Sequence, residues 1–134
     1  ANKFAYLAGI ARTLTIYGEG EQKRPLLHVS DASRAISWVL RNREETTGEV
    51  FNVHERNTSV LEIAEAIKET KPDVEKRFTE QDIRTHLSFE VDGTKIRRLG
   101  WKPSVELGRG LGELVERFEG FSSPLSVGTH ELPE

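Results

Sequence analysis

Neither cysteine nor methionine occurs among the 134 residues. Without cysteine the chain has no disulfide, no thiolate zinc site and no thiol nucleophile, so it must hold together by packing alone. Because the chain starts at Ala1 rather than methionine, we expect either a removed initiator or a piece of something longer. Long apolar runs are missing too. No stretch approaches the roughly 20 residues that cross a bilayer, and the first residues lack the charged start and apolar centre of a secretory signal. The expectation is a cytoplasmic protein that makes no use of a membrane. An excess of one charge is also absent: 19 Lys and Arg face 22 Asp and Glu, a net charge of −3. That balance gives no electrostatic footing for nucleic acid.

What is present describes a globular chain, with 36% hydrophobic and 31% charged residues. A domain of this size can bury roughly two-thirds of its extended surface, enough for a core. Phe4, Leu7, Ala8 and Ala11 fall at helical spacing, and Thr13 to Tyr17 then alternates as a strand that Gly18-Glu19-Gly20 ends. Leu26 to Val29 reads as a short extended run. From Asp31, placed to cap a helix, Ala32, Ala35, Ile36, Val39 and Leu40 share one face. Asn42 to Gly48 is a charged turn and Glu49 to Val53 alternates as a strand.

Ser59 and Glu62 have the spacing of a capping box, with Val60, Ile63, Ala64 and Ile67 as the apolar stripe behind them and Pro72 beyond. Val74 to Thr79 suits a further strand, and Leu87 to Val91 alternates as an extended segment. Asp92 can cap a short helix that Gly100 terminates. Leu107, Leu111, Leu114, Val115 and Phe118 make the face of a last helix, where Gly108, Gly110 and Gly112 suggest close packing on a neighbour. After Gly120 no period remains, and a flexible tail over 121–134 is expected. The fold class is therefore mixed α/β, a small sheet with flanking helices.

The segment richest in chemistry is Gly18-Glu19-Gly20-Glu21-Gln22-Lys23-Arg24-Pro25-Leu26-Leu27-His28-Val29-Ser30-Asp31. Two glycines let the backbone turn tightly and approach a ligand, and Arg24 offers a guanidinium fork suited to phosphate oxygens. On local chemistry alone, a glycine turn with a solvated arginine is the reading to prefer. Elsewhere the signals are weak. His28, His54, His86 and His130 include no pair at ligand spacing on one helix, which argues against a metal site. No Gly-x-Ser-x-Gly elbow occurs. Glu19 and Glu21 lie on a loop, where solvation is expected. Trp38 and Trp101 read as core anchors, and Lys95, Arg97, Arg98 and Lys102 as a solvated basic face.

The spacing of Gly18, Gly20, Gln22, Arg24, Val29 and Asp31 resembles the nucleotide-sugar epimerase/dehydratase family, the extended short-chain dehydrogenases, whose C-terminal halves carry G-x-G-x-Q-x-R followed by V-x-D. Gly48 to Val53 leading to Thr58 to Ala64, Asp92 to Ile96 leading to Leu99 to Pro103, and Leu107 to Phe118 match in order. The resemblance covers about residues 1–120 and implies the C-terminal, nucleotide-sugar-binding portion of such a protein, with the Rossmann half absent. By position, Thr15, Ile16 and Tyr17 would line the base of a UDP- or dTDP-sugar and Arg24 would hold its pyrophosphate; Gln22 would brace the loop and Asp31 would cap the helix. A second family arginine would be Arg77 or Arg84, although the family's arginine-glycine-aspartate pattern is missing there. His54 stands where the family has glycine, and the helix between Lys95 and Leu99 is one residue short.

The complete family enzyme binds NAD or NADP through a glycine-rich turn and moves protons with a Tyr-x-x-x-Lys pair. Tyr6 has Ile10 and Tyr17 has Glu21 four residues on, and no G-x-G-x-x-G is found. The expectations are no cofactor site and no catalytic residue in this chain, and no catalysis by it alone. The alternative readings are a non-enzymatic interaction domain that self-associates, or a subunit completed in trans by a Rossmann-domain chain.

Overall fold

Small residues decide how the first helix packs. α1 (Asn2–Gly9) buries Ala5, Ala8 and Gly9, and this small-residue face lets it approach α6 (Leu107–Glu119), its principal partner. A Cβ on Gly9 would lie 2.4 Å from the Phe118 Cβ, so only glycine permits that approach. The computed structural model describes residues 1–80 and 88–121. Leu87, with the start of the extended segment read there, and the tail from 122 lie outside them.

Between those helices the described chain runs β1 (Leu14–Tyr17), β2 (Lys23–Leu26), α2 (Val29–Arg41), α3 (Arg43–Thr46), β3 (Arg56–Ser59), α4 (Val60–Thr70), β4 (Lys76–Thr79) and α5 (Thr94–Arg98). The strands form two separate pairs. β1 and β4 run parallel, with Leu14 opposite Lys76 and Tyr17 opposite Thr79; β2 and β3 run antiparallel, with Lys23 opposite Ser59.

Leu14 and Ile16 point from β1 into the larger of two cores, where Ile63, Ala64 and Ile67 of α4, Val74, and Leu111 and Val115 of α6 meet them. Fully burying a side chain such as Ile16 contributes about 1.5–3 kcal/mol. α4 enters this core in the register set by its capping box: Ser59 Oγ accepts the Glu62 N–H and Glu62 accepts the Ser59 N–H. The smaller core gathers Ala35, Ile96 and Trp101, with Leu27, Trp38, Val39, Phe51 and Val53 partly buried against it.

Several expectations need correction. α2 starts at Val29, and its N-cap is His28, whose Nδ1 accepts the Ser30 N–H. Asp31 is therefore inside the first turn. Its carboxylate is fully buried and accepts the backbone N–H groups of Ser104 and Val105, each at 2.9 Å, together with the Ser104 hydroxyl and Arg34. Val29 opens the helix where an extended run was expected, and β2 falls three residues earlier than that run.

Glu49 to Val53 has the alternation of a strand but no strand beside it among the described residues, and a strand needs a partner's ladder. The polar run Arg56–Ser59 pairs instead. The charged turn contains the one-turn α3. Of the three glycines of α6, Gly110 packs closely on His28, while a Cβ on Gly108 would meet nothing within 4 Å. The basic face is not merely solvated, since Arg97 donates to the carbonyls of His54 and Glu55 and Lys95 pairs with Glu49.

Candidate functional site

β1 delivers its residues to two environments because side chains alternate along a strand. Ile16 is fully buried and faces the core, whereas Thr15 and Tyr17 are part-buried on the opposite face. The parallel register sets Arg77 beside Thr15 and Thr79 beside Tyr17. Beyond Tyr17 the chain turns through Gly18 (φ 59°) and Gly20 (φ 75°), left-handed conformations that side chains rarely adopt. At Gly20 space is short as well, since a Cβ would lie 2.8 Å from the Ile16 Cγ2.

The loop is fastened at both ends: Gly18 N–H donates to Thr79 O at 2.9 Å, and α4 donates back through Leu61 N–H to Gly20 O and Val60 N–H to Gln22 O. Gln22 thus braces the loop with its backbone. An open depression of about 410 Å³ lies along it, lined by Tyr17, Gly18, Glu19, Glu21, Gln22 and Ser88.

Arg24 follows on β2, opposite Thr58. Its Nη1 donates to the Lys23 carbonyl at 2.7 Å, and its Cζ lies 5.4 Å from the centre of the Phe89 ring. Arg24 and Arg77 stand on different strand pairs. Arg84 lies outside the described residues. Sequence reasoning passed over Ser88, Phe89 and Glu90, although the alternation expected from 87 to 91 was the signal that could have found them.

A second depression, about 430 Å³, is lined by His54, Asn57, Asp92, Thr94 and Arg97 among others. His54 is 7% exposed. Among the described residues its Nδ1 has no hydrogen-bond partner, and it packs over Gly93, where a Cβ would lie 2.8 Å from it. Burial, and next the Arg97 charge, hold its pKa below the usual histidine value. The N-cap of α5 is Gly93 rather than the expected Asp92, whose carboxylate accepts the Thr94 N–H at 2.8 Å from one residue further out. Among the described residues no group of three His, Asp or Glu could hold a metal ion, and no helix is long and apolar enough to cross a membrane.

A dinucleotide pyrophosphate takes a glycine-rich strand-to-helix turn. The strand-to-helix junctions described here, β2 to α2 and β3 to α4, are capped by His28 and Ser59, and the two-glycine turn leads to a strand. None of these three places is the glycine-rich strand-to-helix turn that seats a dinucleotide pyrophosphate.

The order of elements places the chain in a class of mixed α/β folds. A partial-consensus L-threonine 3-dehydrogenase superposes with TM-score 0.73 over 88% of this chain and 41% of its own, at 19% identity. UDP-glucose 4-epimerase of Thermotoga maritima, solved with UDP-glucose, superposes with TM-score 0.63 at 28% identity, over 89% of this chain and 38% of its own. In sequence, a low-salt glycan biosynthesis protein of Haloferax volcanii is 33% identical over 121 residues, 88% of this chain and 38% of that protein. The dTDP-glucose 4,6-dehydratase of Shigella flexneri is 35% identical over 117 residues, 78% of this chain and 32% of its own length. The model of the NAD dependent epimerase/dehydratase family matches residues 2–53. The chain belongs to that family. It spans about a third of the length of the curated relatives it matches.

Proposed function

We propose that residues 1–120 form the nucleotide-sugar-binding part of an epimerase/dehydratase-type protein. Thr15 and Tyr17 present the surface for the base, Ile16 contributes backbone only, and Arg24 takes the diphosphate. Arg77, beside Thr15, belongs with the base and ribose rather than with the phosphates. The observation that carries this reading is the unbroken course of β1 through the Gly18–Gly20 turn, pinned to α4, into the strand that bears Arg24. Relatives described as acting on dTDP-glucose support it. The sugar chemistry and the cofactor would be the business of the complete family protein.

Calorimetric titration with UDP and dTDP tests this reading. Arg24→Ala should weaken binding about ten- to a hundredfold, the worth of a charge-assisted hydrogen bond or two. No heat with either nucleotide, in a folded sample, overturns it.

A specific observation also favours a second reading, a protein-interaction surface. Val29, Ile36 and Leu40 of α2 are 73%, 65% and 57% exposed, and the last two border an apolar groove shared with Leu27, Phe51 and Val53. An apolar face of this kind marks a place of contact, whether with a second copy or with a separate Rossmann-domain chain. Light scattering across a concentration series distinguishes the first of these.

A further inference from the structure

The segment 88–90 grips the first residue of β2. Ser88 Oγ accepts the Lys23 N–H at 3.0 Å, Glu90 pairs with the Lys23 ammonium at 2.8 Å, and the Phe89 N–H donates to the Lys23 carbonyl at 3.3 Å. Three consecutive residues hold one, which fixes where the Ser88 side chain stands. It stands on the wall of the open depression of about 410 Å³ that Tyr17, Gly18 and Gln22 also line. That volume falls in the range of small-ligand sites, roughly 300–1,000 Å³.

A serine hydroxyl has one proton to donate and two lone pairs with which to accept. The Lys23 N–H takes one lone pair, and among the described residues nothing accepts the proton. It is left for whatever occupies the depression. Glu19 and Glu21, on the same wall, bring carboxylates that only accept. Two carboxylates beside one space repel a phosphate, but they suit a hydroxyl, which gives a proton to one neighbour and takes one from another.

Position narrows the choice further. Tyr17, at one end, belongs to the surface proposed for the base, and Lys23, at the other, directly precedes Arg24, proposed to take the diphosphate. Between the base and the diphosphate of a nucleotide lies the ribose, which is uncharged and carries hydroxyls.

We propose that Ser88 is a ribose-binding residue, donating its hydroxyl proton to the 2′ or 3′ oxygen of a nucleoside diphosphate. The proposal rests on the nucleotide-binding reading above. The full chain is titrated with UDP, 2′-deoxy-UDP and 3′-deoxy-UDP. Wild type should bind one of the two deoxy analogues more weakly than UDP, by at least the two- to tenfold that one neutral hydrogen bond is worth. Ser88→Ala should weaken UDP binding about two- to tenfold and leave that analogue's binding unchanged, since the bond is already missing there. If the alanine variant fails to fold, Ser88→Asp, which still accepts the Lys23 N–H but gives no proton, should narrow the gap between UDP and that analogue by the same factor.

Alanine also removes the acceptor of the Lys23 N–H, and a loss arising there would weaken all three ligands alike. An equal loss for all three therefore overturns the proposal, as does unchanged binding of UDP by the alanine variant or, in its place, an unchanged gap in the aspartate variant. Equal binding of the three ligands by wild type overturns it without any variant. If UDP binds and Arg24→Ala weakens it while these comparisons fail, only this inference falls. If the wild-type chain takes up no UDP, the nucleotide reading falls and takes the inference with it.

Discussion

His54 carries its consequence at the level of a single imidazole. Its ring lies against Gly93, and among the described residues Nδ1 is unpartnered and the charged groups that bear on the ring are Arg97, Asp92 and Glu55. Because its pKa in the folded chain is below the ordinary value of about 6.5, the unfolded chain takes up the proton first as pH falls. The stability that neutral His54 contributes is therefore complete above about pH 6.5 and declines as pH drops towards the depressed folded value. Thermal unfolding followed from pH 7 to pH 5 should show Tm falling, and His54→Leu should flatten that slope; an unchanged slope overturns the assignment. Asp31 shows why residue roles were only partly legible. Its place at the head of a helical pattern reads as a cap, but the groups that hold it, Ser104 and Val105, are remote in sequence. Burial pushes its carboxyl up, yet the hydrogen bonds from Val105, Ser104 and Arg34 outweigh this and hold it below the usual range.

Among elements, the crossing of α1 and α6 is governed by one hydrogen atom in place of a methyl group. Gly9→Ala would gain up to about 1 kcal/mol in helix propensity, but the clash with Phe118 should cost about 1–3 kcal/mol. The expected net result is a lower Tm in a thermal melt. Gly108→Ala, in open space on α6, should raise it instead. Helices were legible because their signals are local: the Ser59–Glu62 box and the stripe from Ile63 to Ile67 set α4 in sequence and in space alike. Strands were less so. The apolar alternation from Glu49 to Val53 promised a strand, and the polar Arg56–Ser59 became one, because strand character belongs to a pair and β2 supplied the partner only there.

For the molecule as a whole, the two cores differ in kind. The larger is built by α1, α4, α6 and β1, while the smaller is bordered by the apolar outer face of α2. If that face is a contact surface between copies, Ile36→Lys should shift the light-scattering mass towards monomer at high concentration without lowering Tm. A wild-type chain already monomeric at high concentration excludes self-association. In the candidate site, the glycine turn and Arg24 were legible from spacing. The separation of Arg77 from Arg24, and the ring of Phe89 against the guanidinium, depend on which strands pair and were not.

The parallel pairing of β1 with β4 and the seat of α1 on α6 also bear on how the chain acquires its shape. Each joins an early segment to a late one, so few of the stabilising contacts of the larger core are local. Chains built this way fold slowly, because distant ends must find each other before burial rewards the search. During synthesis Leu14 and Ile16 could meet Ile63, Ile67 and Val74 first, but the small face of α1 would wait until Leu111 and Val115 had left the ribosome. Over that interval the face of α1 that α6 covers in the folded chain stays exposed, and a chaperone that covers it would protect the nascent chain.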